Sequence, residues 1–225
     1  MLLRARKLHR PAVEAVLHAH YPKVCRIAYG LCGDDEAGKL AVQIVMRQSL
    51  AALPRWRNEA HANNWFLHHV ILKTRDLAPQ ILPDDSLLRR LVLPSPEYVA
   101  FLRAFRHLPP QQREAFILSR GEKLNQRQAA VAMDCSSSAA GNHLQAADRA
   151  LGAIAGDSFD ERATALLNVY NSLTPGDDLV VGDINLVVRR IGWRKFLKVM
   201  DRLLALAILA ALAWIVWRIS RMIVA

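Results

Sequence analysis

The stretch LPPQQREAFILSRGEKLNQRQAAVAMDCSSSAAGNHLQAADRAL, residues 108–151, carries the start and stop signals of three consecutive helices. Pro109-Pro110 opens the first, because proline suits a first helical turn whose N–H groups lack partners anyway. Gly121 ends that helix, and Asn125 opens a second that runs to Met133. Asp134-Cys135-Ser136 makes the next break, and Ser136, Ser137 and Ser138 offer hydroxyls to cap a last helix reaching about Ala155. Two short helices and a tight turn before a longer one are the plan of a helix-turn-helix.

Working outward, 97–107 reads as one more helix before this module. Upstream, 11–31 has helical apolar spacing through Val13, Val16, Leu17, Val24, Ile27, Ala28 and Leu31. Pro22 is expected to break or kink it, and Gly33 with Asp34 to end it. A second helix is expected over 35–53, stopping at Pro54. A third is expected from Trp65 to about Leu77, capped by Asn63 or Asn64. Residues 78–96 hold Pro79, Pro83, Pro94 and Pro96 and read as a linker. Downstream, 160–171 looks helical and 174–177 forms a turn. The valine-rich 179–191 suits a helix or a strand, and helix is the preferred reading.

Bulk composition is informative mainly through its unevenness. The chain has 225 residues, of which 52% are apolar, and a formal net charge of +10. Arg4, Arg6, Lys7 and Arg10 begin the chain with no acid among them, and residues 189–225 carry eight bases against Asp201 alone. The body between is close to neutral, so the charge belongs to the ends. Three cysteines and no export signal argue against a secreted disulfide framework and for a reducing compartment.

The larger basic block lies beside LLALAILAALAWIVW, 203–217, an unbroken apolar run. At about 1.5 Å per residue it reaches only about 22 Å, short of a roughly 30 Å hydrocarbon core. Extension to Val224 supplies the length, with Arg218 and Arg221 snorkelling to the headgroups. Trp214 and Trp217 suit an interfacial belt. Arg194, Lys195, Lys198 and Arg202 flank the other end, with Arg189 and Arg190 behind them. These expectations place a single span at 202–224 in a cell inner membrane, bound to lipid, with the body in the cytoplasm. A buried helix, or one docked on another subunit, is the competing reading. Ala207 and Ala211 are a small-xxx-small pair that the alanine-rich composition alone would produce.

Without gaps, 108–151 resembles region four of the extracytoplasmic-function sigma factors, through Leu108-Pro109-Pro110, Arg113-Glu114, Leu124, Ala130, Ser136, Leu144 and Arg149-Ala150-Leu151. Residues 13–53 resemble region two of that family. NNWFLHHVILKTRD, 63–76, falls at its promoter-melting segment, with Trp65 matching its tryptophan. The resemblance implies an all-α fold with two small helical domains: 1–77 like region two and 97–155 like region four. The linker 78–96 joins them, and a juxtamembrane segment, 156–201, precedes the transmembrane helix. It implies core RNA polymerase and promoter DNA as partners, with an anti-sigma or other regulatory protein as a further one. Ser137, Ser138, Asn142, His143, Gln145 and Arg149 are then the candidates for DNA contact. Leu40, Gln43, Ile44 and Arg47 are those for polymerase contact. No catalytic step falls to such a protein.

The contact surfaces depart from the family while the apolar framework stays. Where relatives place Lys or Arg, this chain has Gly141, His143, Ala146 and Asp148. Residues 111–151 hold five bases and four acids, which predicts weak phosphate binding and a shallow salt dependence. In region two, Gly38, Lys39, Val42 and Gln43 occupy the family's acidic and amide positions, where a lysine would repel a basic partner helix. Ile71 and Leu72 replace an arginine and an asparagine. A second reading follows: a degenerate sigma-type fold that serves as an interaction protein at the membrane and no longer binds promoter DNA. Cys25 and Cys32, near His18 and His20, lack finger-like metal spacing and read as buried structural thiols. His68 and His69 point in different directions. No Ser/His/Asp set, phosphate loop or paired carboxylates stand out, so no enzyme, cofactor or metal is expected.

Overall fold

In the computed structural model the backbone is described for residues 1–77, 87, 95–173 and 175–224. Side chains are described for those up to 191 and, beyond it, for 200, 201, 203–206, 208, 209 and 212. Among the described residues every regular element is a helix. They are α1 (Leu2–Arg6), α2 (Arg10–Cys32), α3 (Asp35–Ala52), α4 (Glu59–Leu77), α5 (Pro96–His107), α6 (Pro110–Phe116), α7 (Gln126–Met133), α8 (Ser137–Ala155), α9 (Phe159–Asn171) and α10 (Asp177–Val224). Most of the expected linker, 78–86 and 88–94, falls outside the described residues.

Local chemistry sets most of these ends. Gly33 takes a left-handed φ of 72° to stop α2, and Asp34 accepts from Ala37 N at 2.7 Å to start α3. Asn125 and Gln128 form a reciprocal capping box on α7, and Ser136 Oγ accepts from Ala139 N on α8. Two expectations are corrected. α2 runs unbroken through Pro22: the lost backbone bond is offset by flanking residues Tyr21, Val24 and Cys25, all buried. α4 begins at Glu59, where Asn58 Oδ1 accepts from His61 N at 2.8 Å, so Asn63 and Asn64 lie inside the helix.

α2, α3 and α4 pack together around Val16, Leu17, Ile27, Met46, Phe66 and Ile71. α5, α6 and α8 enclose Phe101, Phe105, Phe116, Ala147 and Leu151. The two groups share one continuous core. α4 rests on α7, where Arg75 donates to both oxygens of Glu114 at 2.7 and 2.6 Å and to Met133 O at 3.1 Å. His68 Nδ1, 3.3 Å from Ala132 O, adds a hydrogen bond to the carbonyl. α9 closes the seam elsewhere. Its Tyr170 is fully buried between Gly30 of α2 and Gly121, where added Cβ atoms would lie 2.7 and 2.9 Å from the ring. Only glycine permits so close an approach from both sides. Tyr170 Oη donates to Glu122 Oε1 at 2.7 Å, and Arg26 of α2 grips the same carboxylate at 3.1 and 3.2 Å.

The valine-rich segment is helical and belongs to α10, which continues without a break past the expected boundary at 201–202. Val180, Ile184, Val187, Val188 and Ile191 are buried at helical spacing where α10 meets α2 and α3. Farther along, Leu203, Leu204, Leu206, Ile208, Leu209 and Leu212 are each at least 54% exposed, so none of the described residues covers them. Among the described residues no helix is long and apolar enough to cross a membrane. Many side chains of the run 203–217 lie outside those described, as do those of Arg194, Lys195, Lys198, Arg202, Trp214, Trp217, Arg218 and Arg221.

Candidate functional site

α8 has two faces of different chemistry. Ala140, Ala147, Leu151 and Ala155 are buried against the core. Ser138, Asn142, Gln145 and Arg149 recur at helical spacing on the opposite face, and all are exposed. Ser137 is exposed at the N-terminus, whereas His143 is half-buried to one side of the stripe. Five of the six sequence candidates thus stay open to solvent on one helix. Gln126 of α7 donates to Ser137 O at 2.6 Å and ties the starts of α7 and α8 together. Its amide nitrogen occupies the space that a Cβ on Gly141 would need. Gly141 therefore has a packing reason as well as a helix-propensity cost of about 1 kcal/mol.

Three of the four acids of 111–151 are held by arginines. Glu114, 2% exposed, is held by Arg75, and Glu122 by Arg26 and Lys23. Asp148 is gripped by Arg120 at 2.9 and 2.7 Å. Asp134 sits close enough to Arg75 to favour its charge. Lys123, Arg127 and Arg149 are exposed, with no ion pair or side-chain hydrogen bond among the described residues. A raw charge count, near zero for this module, thus conceals a surface on which three exposed cations, Lys123, Arg127 and Arg149, face one exposed acid, Asp134. Lys123 and Arg127 escaped the sequence reading because their exposure depends on tertiary packing. The one signal available was the position of Arg127 in the first turn of α7, the helix that crosses the phosphate backbone in helix-turn-helix complexes.

On α3, Leu40, Gln43, Ile44 and Arg47 recur on one stripe, with Leu40 44% exposed and the other three half-buried. Gln43 is not free: its Nε2 donates to Asp183 Oδ1 of α10 at 3.0 Å, and Tyr21 Oη donates to Asp183 Oδ2 at 2.7 Å. Burial and that carboxylate push the Tyr21 hydroxyl far above its ordinary pKa. Lys39, Gln43 and Arg10 line one side of an open groove of about 760 Å³, and Asp183, Leu186 and Arg189 of α10 line the other.

At the third family position, Trp65 stacks on His69 with ring centroids 3.8 Å apart and meets Trp56 and Phe66 edge-on or tilted. Ile71 is buried, so the residue standing in place of an arginine fills the core. Cys25 and Cys32 are buried thiols, and burial pushes the Cys32 thiol up to about 12. No His/Cys/Asp/Glu group with metal-binding geometry occurs among the described residues.

Residues 98–151, from within α5 to the body of α8, match the family described as Sigma-70, region 4. The match covers less than half of the chain and contains the whole helix-turn-helix with its exposed stripe. No curated protein matches the chain, and no solved structure does.

Proposed function

We propose that this chain is a sigma-factor-like regulator of transcription initiation, held at a membrane by α10. It binds promoter DNA through α8 and core RNA polymerase through the α3 stripe. The single observation that carries the reading is the exposed face Ser138-Asn142-Gln145-Arg149 on the region-4-like module, three of whose four acids are ion-paired. Arg149, Lys123 and Arg127 supply phosphate contacts, and the amide and hydroxyl groups of the stripe reach base edges. The tether reading rests on the exposed leucines of α10 and the cations around the apolar run.

The second reading, an interaction protein that no longer binds promoters, draws support from the small number of free cations on the module. Full-length protein in detergent micelles separates the two. Core polymerase is offered first, then promoter fragments at low and moderate salt. Three neutralised phosphates give a logarithmic salt slope of about −2.7, or about a 40-fold loss of affinity between 50 and 200 mM salt. Polymerase capture with that slope supports the first reading. Polymerase capture without DNA binding favours the second, and loss of both removes the transcriptional assignment.

A further inference from the structure

Residues 177–191 of α10 are not a passive connection. They present a stripe of five buried aliphatic side chains to α2 and α3. In the middle of that stripe stands Asp183, whose two oxygens are taken by Tyr21 and Gln43. A carboxylate half-buried in an apolar seam is costly unless both oxygens accept, and here they do. The pairing therefore fixes the register of α10 on α3, since a shift of one residue would take the carboxylate away from both donors.

The docked segment overlaps the stripe assigned to a protein partner. Gln43 is bonded to α10, and Lys39 and Gln43 form one wall of the groove whose other wall is α10. Leu40, on the same stripe, remains 44% exposed, so the cover is partial and leaves an approach for a competitor. Beyond 191 the helix continues to Val224, about 50 Å more at 1.5 Å per residue. Whatever fixes the direction of that distal half acts directly on the docked stretch, because the two are one helix.

We infer that 177–191 is a built-in cover for the α3 face, latched by Asp183 on Tyr21 and Gln43, and that a partner helix must displace it to bind. The inference rests on the polymerase reading of α3 given above. The docked state holds the binding-competent surface at low population, and apparent affinity is reduced by that fraction. Engagement of the distal half of α10 sets how often the cover lifts.

Two variants of the full chain test this: Asp183→Ala, which removes the latch, and Val187→Asp, which places a charge in the seam. Amide exchange reads the cover, and capture of core RNA polymerase reads the surface under it. Thermal unfolding of each variant confirms that α2–α4 remain folded. The expected result is faster exchange in 35–52 and 177–191, with polymerase bound about tenfold more tightly than by the parent chain. Unchanged exchange in both variants overturns the cover. Faster exchange with the parent's affinity also overturns it, because α3 was then never blocked, while the polymerase reading stands. Faster exchange with no capture by any form refutes the polymerase reading itself, and the inference falls with it.

Discussion

Replacing Arg75 with alanine should detach the helix-turn-helix from α4 far more than the loss of one surface ion pair would. Glu114 is 2% exposed and receives two short bonds from Arg75, whose third contact is Met133 O. Removing one partner of a buried pair costs about 3–5 kcal/mol, because the remaining charge is left uncompensated. The Arg75 side chain is 30% exposed, so water enters as it is shortened, which selects the lower end, about 3 kcal/mol. With a urea slope of about 2 kcal/mol/M, the unfolding midpoint should fall by about 1.5 M. The paired replacement Arg75→Met with Glu114→Leu should recover most of that loss, since apolar groups of similar volume satisfy a buried site without desolvated charge. Urea titration of the full chain in mild detergent, followed by circular dichroism, gives all three midpoints. An Arg75→Ala midpoint within about 0.25 M of the parent, or about 0.5 kcal/mol, would refute the packing of α4 on α6 and α7.

Arg149→Ala should weaken promoter binding for all sequences alike and reduce the salt slope by about 1, measured by titration at several salt concentrations. Gly30→Ala, whose new Cβ would press on Tyr170 at 2.7 Å, should lower stability by about 1–3 kcal/mol. Tyr170→Phe, which only removes the hydroxyl from Glu122, should cost about 1–2 kcal/mol in the same denaturation assay. His20 gives a pH signature. Burial holds its imidazole below the ordinary value, with Glu59 opposing and Lys23 adding to the shift. The unfolded chain therefore takes up the proton first, and stability falls as pH drops below about 6.5. His20→Phe should flatten that fall, read as thermal midpoints across the range, and an unchanged pH profile would deny His20 the role.

The helix-turn-helix was legible because its signals are local. Asn125 with Gln128, Ser136 with Ala139, and Pro110 in a first turn each act within three or four residues, so the sequence displays them directly. Pro22 misled for the same reason: a local rule predicts a break, whereas the burial of Tyr21, Val24 and Cys25 that offsets it depends on the helices packed against α2. The interfaces were illegible in a stronger sense. Arg26 meets Glu122 across 96 residues and Arg75 meets Glu114 across 39, with no spacing rule linking them. A count of charges over 111–151 could not reveal which acids had partners elsewhere. Tyr170 was hidden likewise, since only the approach of Gly30 and Gly121 makes its position special.

The same ion pairs bear on the order of events if the protein acts on promoters. Separation of the helix-turn-helix from α2 and α4 would return Glu114 and Glu122 to water without their arginines, adding two negative charges to a module with three free cations. The packed arrangement is therefore the one with the more favourable field for DNA, and its α8 stripe is already exposed. The α3 face depends on a different contact, the docking of α10, which places Asp183 on Gln43. On the proposed function, DNA contact through α8 would require no opening of this fold, whereas polymerase contact through α3 would require α10 to move. A device that senses the state of the distal α10 helix would thus control recruitment of polymerase rather than affinity for the promoter. Measured separately, the two affinities should respond differently to Asp183→Ala: polymerase binding strengthened, and DNA binding by the isolated protein unchanged.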